Sequence, residues 1–255
     1  MIKKLKFFPI AVLVFTLLIS MNIFASESAQ TDSESIDEYL SDKGVPEDVL
    51  ATLDDDTKEM MYSGISELEK DGDEIVFDHY DSTVFVMTDD GKFVEKDTSG
   101  SEPEAYAIDR LIKLSLTSYR VTNNLPRWIL YPQFEKIGNI NTRNDTFYCV
   151  LDNASWSLES DPVLTAHGLF KETYEVPSFL TFSGGGYKLQ ANYTKGTMEM
   201  IYSPKSTTSL DRRAIVGFAH DPSDILDYSV GLSFGPVSFN PSTGLDTMAQ
   251  MFNFN

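Results

Sequence analysis

Cysteine is nearly absent: Cys149 stands alone in 255 residues, so no intramolecular disulfide can form. Histidine is also rare. His79, His167 and His220 are the three present, and no two fall at i, i+2 or i, i+4. That spacing excludes a local zinc signature such as His-Glu-x-x-His. There is no Gly-x-Ser-x-Gly elbow, which argues against an α/β-hydrolase. Long apolar runs are missing too, apart from the 13 residues from Phe7 to Ile19. That run falls short of the roughly 18–20 residues a spanning helix needs. Positive charge is the last deficit: 20 Lys and Arg face 39 Asp and Glu, a net charge of −19. Such a chain repels nucleic acid and anionic lipid, so no nucleic-acid partner is expected.

What is present begins with a leader. Lys3, Lys4 and Lys6 precede the apolar run, and a polar stretch ending at Ala25 follows it. This is the layout of a secretory signal peptide over residues 1–25, with Ile23 and Ala25 at the −3 and −1 positions. No cysteine lies near that site, which excludes a lipoprotein anchor. The expected product is secreted and extracellular, with no transmembrane span after cleavage. About 230 residues remain, enough for one large β domain or two smaller domains. A secreted chain without disulfides fits a bacterial exporter better than a eukaryotic one.

Charge divides the remainder unevenly. Residues 27–109 hold 26 acidic and 5 basic side chains, whereas residues 110–255 hold 13 and 12. Glu27 to Glu34 has no apolar anchor and reads as a disordered lead-in. Ser35-Ile36-Asp37-Glu38 has the form of a capping box, with Tyr39 and Leu40 behind it and Gly44 as a stop. Pro46 suits the first turn of a second short helix bearing Val49, Leu50 and Leu53. After Asp54-Asp55-Asp56, the residues Met60, Met61, Ile65 and Leu68 recur at helical spacing, with Asp56 and Glu59 as the expected cap.

The period then shortens. Ile75–Phe77 and Val84–Met87 read as strands, and Asp89-Asp90-Gly91-Lys92 turns into Phe93-Val94. Residues 97–104 are the best linker, beside the charge break, which places a boundary near 105. The expected division is an acidic helical segment and β-hairpin with linker over 26–104 and an antiparallel β domain over 105–255. Within the latter, Ile112, Leu114 and Leu116 alternate with Lys113, Ser115 and Thr117, and Trp128, Leu130 and Phe134 do likewise. Tyr187 to Thr194 is the clearest alternating strand, entered from a turn at Ser183-Gly184-Gly185-Gly186. Ala214–Ala219, Ser229–Phe234 and Val237–Phe239 are further strands. Many short strands with regular turns predict a mainly β fold, an antiparallel β-sandwich or barrel preceded by a small acidic helical segment and a hairpin.

Chemistry is sparse in this pattern. Cys149 sits in an apolar strand and reads as a buried packing residue. The three-glycine run lacks the Lys-Ser/Thr of a phosphate loop. Asp54–Glu59 and Asp71–Glu74 do not complete a calcium loop. Glu199 alternates with Met198 and Met200 and is expected to face solvent. Trp128 and Trp156 read as core. No catalytic, cofactor-binding or metal residue is assigned, and no cofactor is implied.

Tyr39-Leu40-Ser41-Asp42-Lys43-Gly44-Val45-Pro46-Glu47-Asp48-Val49-Leu50 resembles a short helical module that follows the signal peptide in many uncharacterised secreted proteins of Gram-positive bacteria. The later Trp128–Phe134 and Arg143–Phe147 segments are similar to the β-rich region of those proteins. The resemblance implies export and a helical-then-β layout, and it carries no activity. The expected role is a non-enzymatic binding module, with a cell-envelope component or another exported protein as partner. A membrane-active, bacteriocin-like or pore-forming factor is one alternative; an extracellular hydrolase using His167, His220 and nearby acids is the other. Amino-terminal sequencing of the protein recovered from culture medium should begin at Ser26. Recovery of the intact chain from the cytosol alone would refute export.

Overall fold

The computed structural model describes residues 33–88, 92–96, 110–123, 125–178, 183–205, 210–220 and 246–255. The leader, the 97–104 linker, the Asp89–Gly91 turn and the strands expected at 229–234 and 237–239 lie outside them. The fold is mainly β, with two antiparallel sheets packed face to face and a small helical segment ahead of them.

Three helices come first: α1 (Ser33–Asp42), α2 (Glu47–Leu50) and α3 (Asp55–Lys70). Pro46 is the N-cap of α2. The cap of α3 is Asp54, whose side chain accepts from the backbone N–H of Asp56 (3.1 Å) and Thr57 (3.2 Å). The cap therefore lies two residues before the Asp56–Glu59 pair suggested by spacing, because only Asp54 has the extended backbone a cap requires.

The first sheet follows the order β2 (Phe93–Glu95), β1 (Ile75–Met87), β3 (Arg110–Val121), β4 (Trp128–Gly138), β10 (Lys195–Pro204), β7 (Val163–His167), β8 (Lys171–Glu175), with β6 (Trp156–Leu158) also on β10. The second orders β12 (Asp246–Asn253), β11 (Arg213–His220), β5 (Thr146–Leu151) and β9 (Ser183–Lys188). The two runs expected at 75–77 and 84–87 are one strand, kinked by a bulge between Phe77 and His79. β1 pairs with β3 along most of its length, so the ladder joins residues from both sides of position 105.

The strand expected at Tyr187–Thr194 is corrected. The ladder strand is Ser183–Lys188, paired with β5, and the chain leaves it before Leu189. The glycine run is thus strand rather than turn. At Gly184 and Gly185 the second sheet runs so close to neighbouring backbone that a Cβ would meet Cys149 O or Pro177 O within 3 Å. Absence of side chains, not turn-forming freedom, is what those positions supply.

Two cores result. Between the sheets lie Leu114, Leu116, Leu130, Phe134, Phe147, Phe218 and both tryptophans. Cys149 belongs to this core, and burial pushes its thiol up, away from the reactive thiolate. On the outer face of the first sheet, Leu40, Leu50, Leu53, Met61 and Ile65 pack on Tyr119, Val121, Ile129 and Tyr131. The middle of the first sheet, at β3, β4 and β10, is therefore buried on both faces, in a three-layer stack of helices, sheet and sheet. Asp54→Ala should cost about 1–2 kcal/mol through loss of the cap. Urea unfolding followed by circular dichroism measures it, and a loss below about 0.5 kcal/mol would show that the helix is held without the cap.

Candidate functional site

Antiparallel register sorts the helix-facing side of the first sheet into rows. Lys171, His167 and Lys195 are direct cross-strand neighbours, and Thr173, Thr165 and Thr197 form the next row. Glu199 and Val163 follow, with Tyr131 beside Glu199. Beyond them the face becomes apolar at Ile129 and Tyr119. The side thus grades from ionic through hydroxyl to greasy.

Helix α3 lies along this gradient. Its amino terminus meets the basic row, an unfavourable pairing for the positive end of a helix dipole unless anions intervene. Asp54 and Asp56 intervene. Lys195 Nζ lies 2.6 Å from Asp54 and 3.0 Å from Asp56, while Lys171 Nζ reaches Asp56 at 3.2 Å and Glu59 at 2.9 Å. Burial pushes the Asp54 and Asp56 carboxyls up, but hydrogen bonds from Lys195 and further contacts bring both below their ordinary values. For Lys195 and Lys171, burial lowers and the carboxylates raise; the carboxylates win. One turn on, the Thr57 and Thr197 hydroxyls meet at 2.7 Å.

His167 sits in the middle of the basic row with Nδ1 at 3.3 Å from Asp56. Burial pulls its pKa down, Asp56 opposes this, and the two lysines add to the lowering. Its Nδ1 faces Asp56, and the buried Nε2 has no partner among the described residues. His220 ends β11 in the other sheet. The two histidines named for a hydrolase therefore belong to different sheets. His79 lies in β1.

Glu199 does not face open solvent, contrary to the alternation-based expectation. Helix α3 covers it, and Tyr131 Oη donates to its Oε2 at 3.0 Å. Burial raises its carboxyl, the Tyr131 hydrogen bond lowers it, and nearby Glu67 raises it again; the net shift is upward. Gly64, in the middle of α3, makes this possible. A Cβ there would lie 2.0 Å from Glu199 Oε2 and 2.7 Å from Tyr131 Oη, so the ends of these two side chains would have to shift. An interior helix glycine costs about 1 kcal/mol relative to alanine, so the helix gives up stability where it crosses the acid.

Beside this crossing opens a groove of about 440 Å³ between α3 and strands β7, β8 and β10. Its apolar wall is Ile36, Met60, Tyr62 and Val163, and its polar wall includes Asp56, Glu59, Glu67, Lys171 and Glu199. Asp56 and Glu59 are held by Lys171, whereas no lysine or arginine among the described residues pairs with Glu67 or Glu199. The groove therefore offers uncompensated negative charge next to an apolar surface. Sequence reasoning named no site residue here. The one signal it contained was Gly64, an unexplained glycine inside a strong helical pattern.

Glu199 also sets a pH response. A half-buried acid with a raised pKa holds its proton better in the folded chain, so it contributes stability at low pH that is lost as pH rises through the folded-state value. Thermal melts between about pH 4 and pH 8, spanning the ordinary carboxylate range upward, should show wild type losing stability over that interval relative to Glu199→Gln. Parallel curves for the two proteins would mean the carboxyl titrates as it would in water.

Compared with known proteins, the chain matches no family model, no curated protein and no solved structure.

Proposed function

We propose that this chain is an exported, non-catalytic binding protein and that the α3 groove is where it takes its ligand. The observation that carries the reading is the Gly64–Glu199 crossing. A helix that omits a side chain over a half-buried acid, beside a groove of ligand-binding size, makes room for that acid. His167 supports a binding role over hydrolysis. It is wedged between Asp56 and two lysines, and its Nε2 is closed off from the groove's ligand space. No helix among the described residues is long and apolar enough to cross a membrane. The basic leader and the disulfide-free body support work outside a bacterial cell, with an envelope component or another exported protein as partner.

Ser63 lines the groove and is exposed, so a large residue there obstructs the groove without touching the core. Wild-type protein should sediment with washed envelopes of its native host, and Ser63→Trp should lose about tenfold in binding with an unchanged melting temperature. Glu67→Arg provides a second obstruction on the same wall. Equal sedimentation of all three proteins, or of none, would overturn the reading.

A further inference from the structure

The hairpin between β7 and β8 carries Gly168, Leu169 and Phe170 at its tip, closed by Gly168 N–H donating to Phe170 O at 3.1 Å. Leu169 is 96% exposed and Phe170 77%, the largest apolar exposures of their kind on the described β7–β8 edge. Single exposed apolar residues are ordinary, but two adjacent ones on one hairpin tip offer an apolar contact point. The next residue, Lys171, lines the groove and ties the hairpin to α3 through Asp56 and Glu59. Apolar tip and acidic groove are therefore parts of one surface.

We propose that this surface takes a basic, amphipathic polypeptide segment, a proposal that rests on the groove being the binding site. The partner's apolar residues cover Leu169 and Phe170, and one of its lysine or arginine side chains enters the groove. There the side chain's methylenes lie against Met60, Tyr62 and Val163 while the cation meets Glu67 and Glu199. An arriving cation relieves the cost that partial burial puts on the Glu199 carboxylate, the same cost that raises its pKa. Charge selects this occupant over a bilayer. Around Lys171 and Lys195 the carboxylates Asp54, Asp56, Glu59 and Glu172 outnumber the lysines, in a molecule whose first third is the most acidic part of the chain, so an anionic bacterial membrane is repelled. Lys171, the only cation adjoining the tip residues in sequence, is already engaged by two carboxylates.

The test titrates the full mature protein with a synthetic peptide of about twelve alternating lysine and leucine residues, and with its glutamate–leucine counterpart. Vesicles of phosphatidylcholine, with and without phosphatidylglycerol, form the lipid arm. The lysine peptide should bind, and the glutamate peptide and both vesicles should not. The uncharged pair Leu169→Ser/Phe170→Ser and the groove pair Glu67→Gln/Glu199→Gln should each weaken binding about tenfold. Glu47→Gln/Asp48→Asn removes the same two charges from an exposed stretch away from the groove and should leave affinity within about twofold, which separates the site from diffuse attraction. Equal weakening by the Glu47/Asp48 pair, no effect of the tip pair, or tip-dependent vesicle binding would each overturn the proposal. Envelope binding blocked by Ser63→Trp yet untouched by the tip pair would sink this inference while leaving the groove reading intact. Envelope binding untouched by both Ser63→Trp and the tip pair would remove the two together.

Discussion

A basic row of cross-strand neighbours meeting the positive end of a helix is the constraint on which this architecture depends. Lys171, His167 and Lys195 lie side by side where α3 begins, and without Asp54 and Asp56 between them the helix would be repelled from the sheet. The ion pairs here are only half-buried, so each is worth little alone. Their effect is positional. They fix where α3 starts, and a helix started there carries Thr57 onto Thr197, Met61 onto Tyr119 and Gly64 onto Glu199. The first turn thus sets the register of every contact down the helix.

Burial of one sheet on both faces explains what could and could not be read in advance. Alternation of Ile112, Leu114 and Leu116 marks the inter-sheet core, and those residues are there. The same alternation assigns Ser115, Thr117 and Glu199 to solvent, as for a sheet with one wet face. Helices cover that face, so Ser115 and Thr117 are buried and hydrogen-bond with Gln133 instead. Helical periodicity at Met60, Met61, Ile65 and Leu68 was legible because it is local. Which strand the helix lies across is a long-range fact, and no residue spacing encodes it.

The glycine run at Ser183–Gly186 shows the opposite failure. Glycine usually punctuates a chain, so three in succession suggest a turn. Here they let β9 approach β5 and the Pro177 backbone more closely than any side chain permits. Tyr187 to Thr194 then looks like the strand, although its latter half leaves the ladder to build a separate polar knot. In that knot Asn192 Oδ1 accepts from Lys136 Nζ and from both donors of Thr142. Alternating polarity reports one buried face, and a loop tied down through a single side-chain amide produces the same pattern.

Local rules are broken in this molecule at a few positions, and the two along α3 fall at the same place. Gly64 weakens a helix, and Glu199 lies under that helix rather than in water. Either could be dismissed as tolerance if it stood alone. Their coincidence is harder to dismiss, because each makes sense only through the other: the glycine admits the acid, and the acid has no packing reason to be there. A leucine at 199 beneath an alanine at 64 would bury more apolar area and strengthen the helix. The protein instead keeps a carboxyl whose charged state is made costly by partial burial. Stability forgone beside an accessible groove is why the proposed binding role is put at this crossing rather than at Cys149 or the histidines.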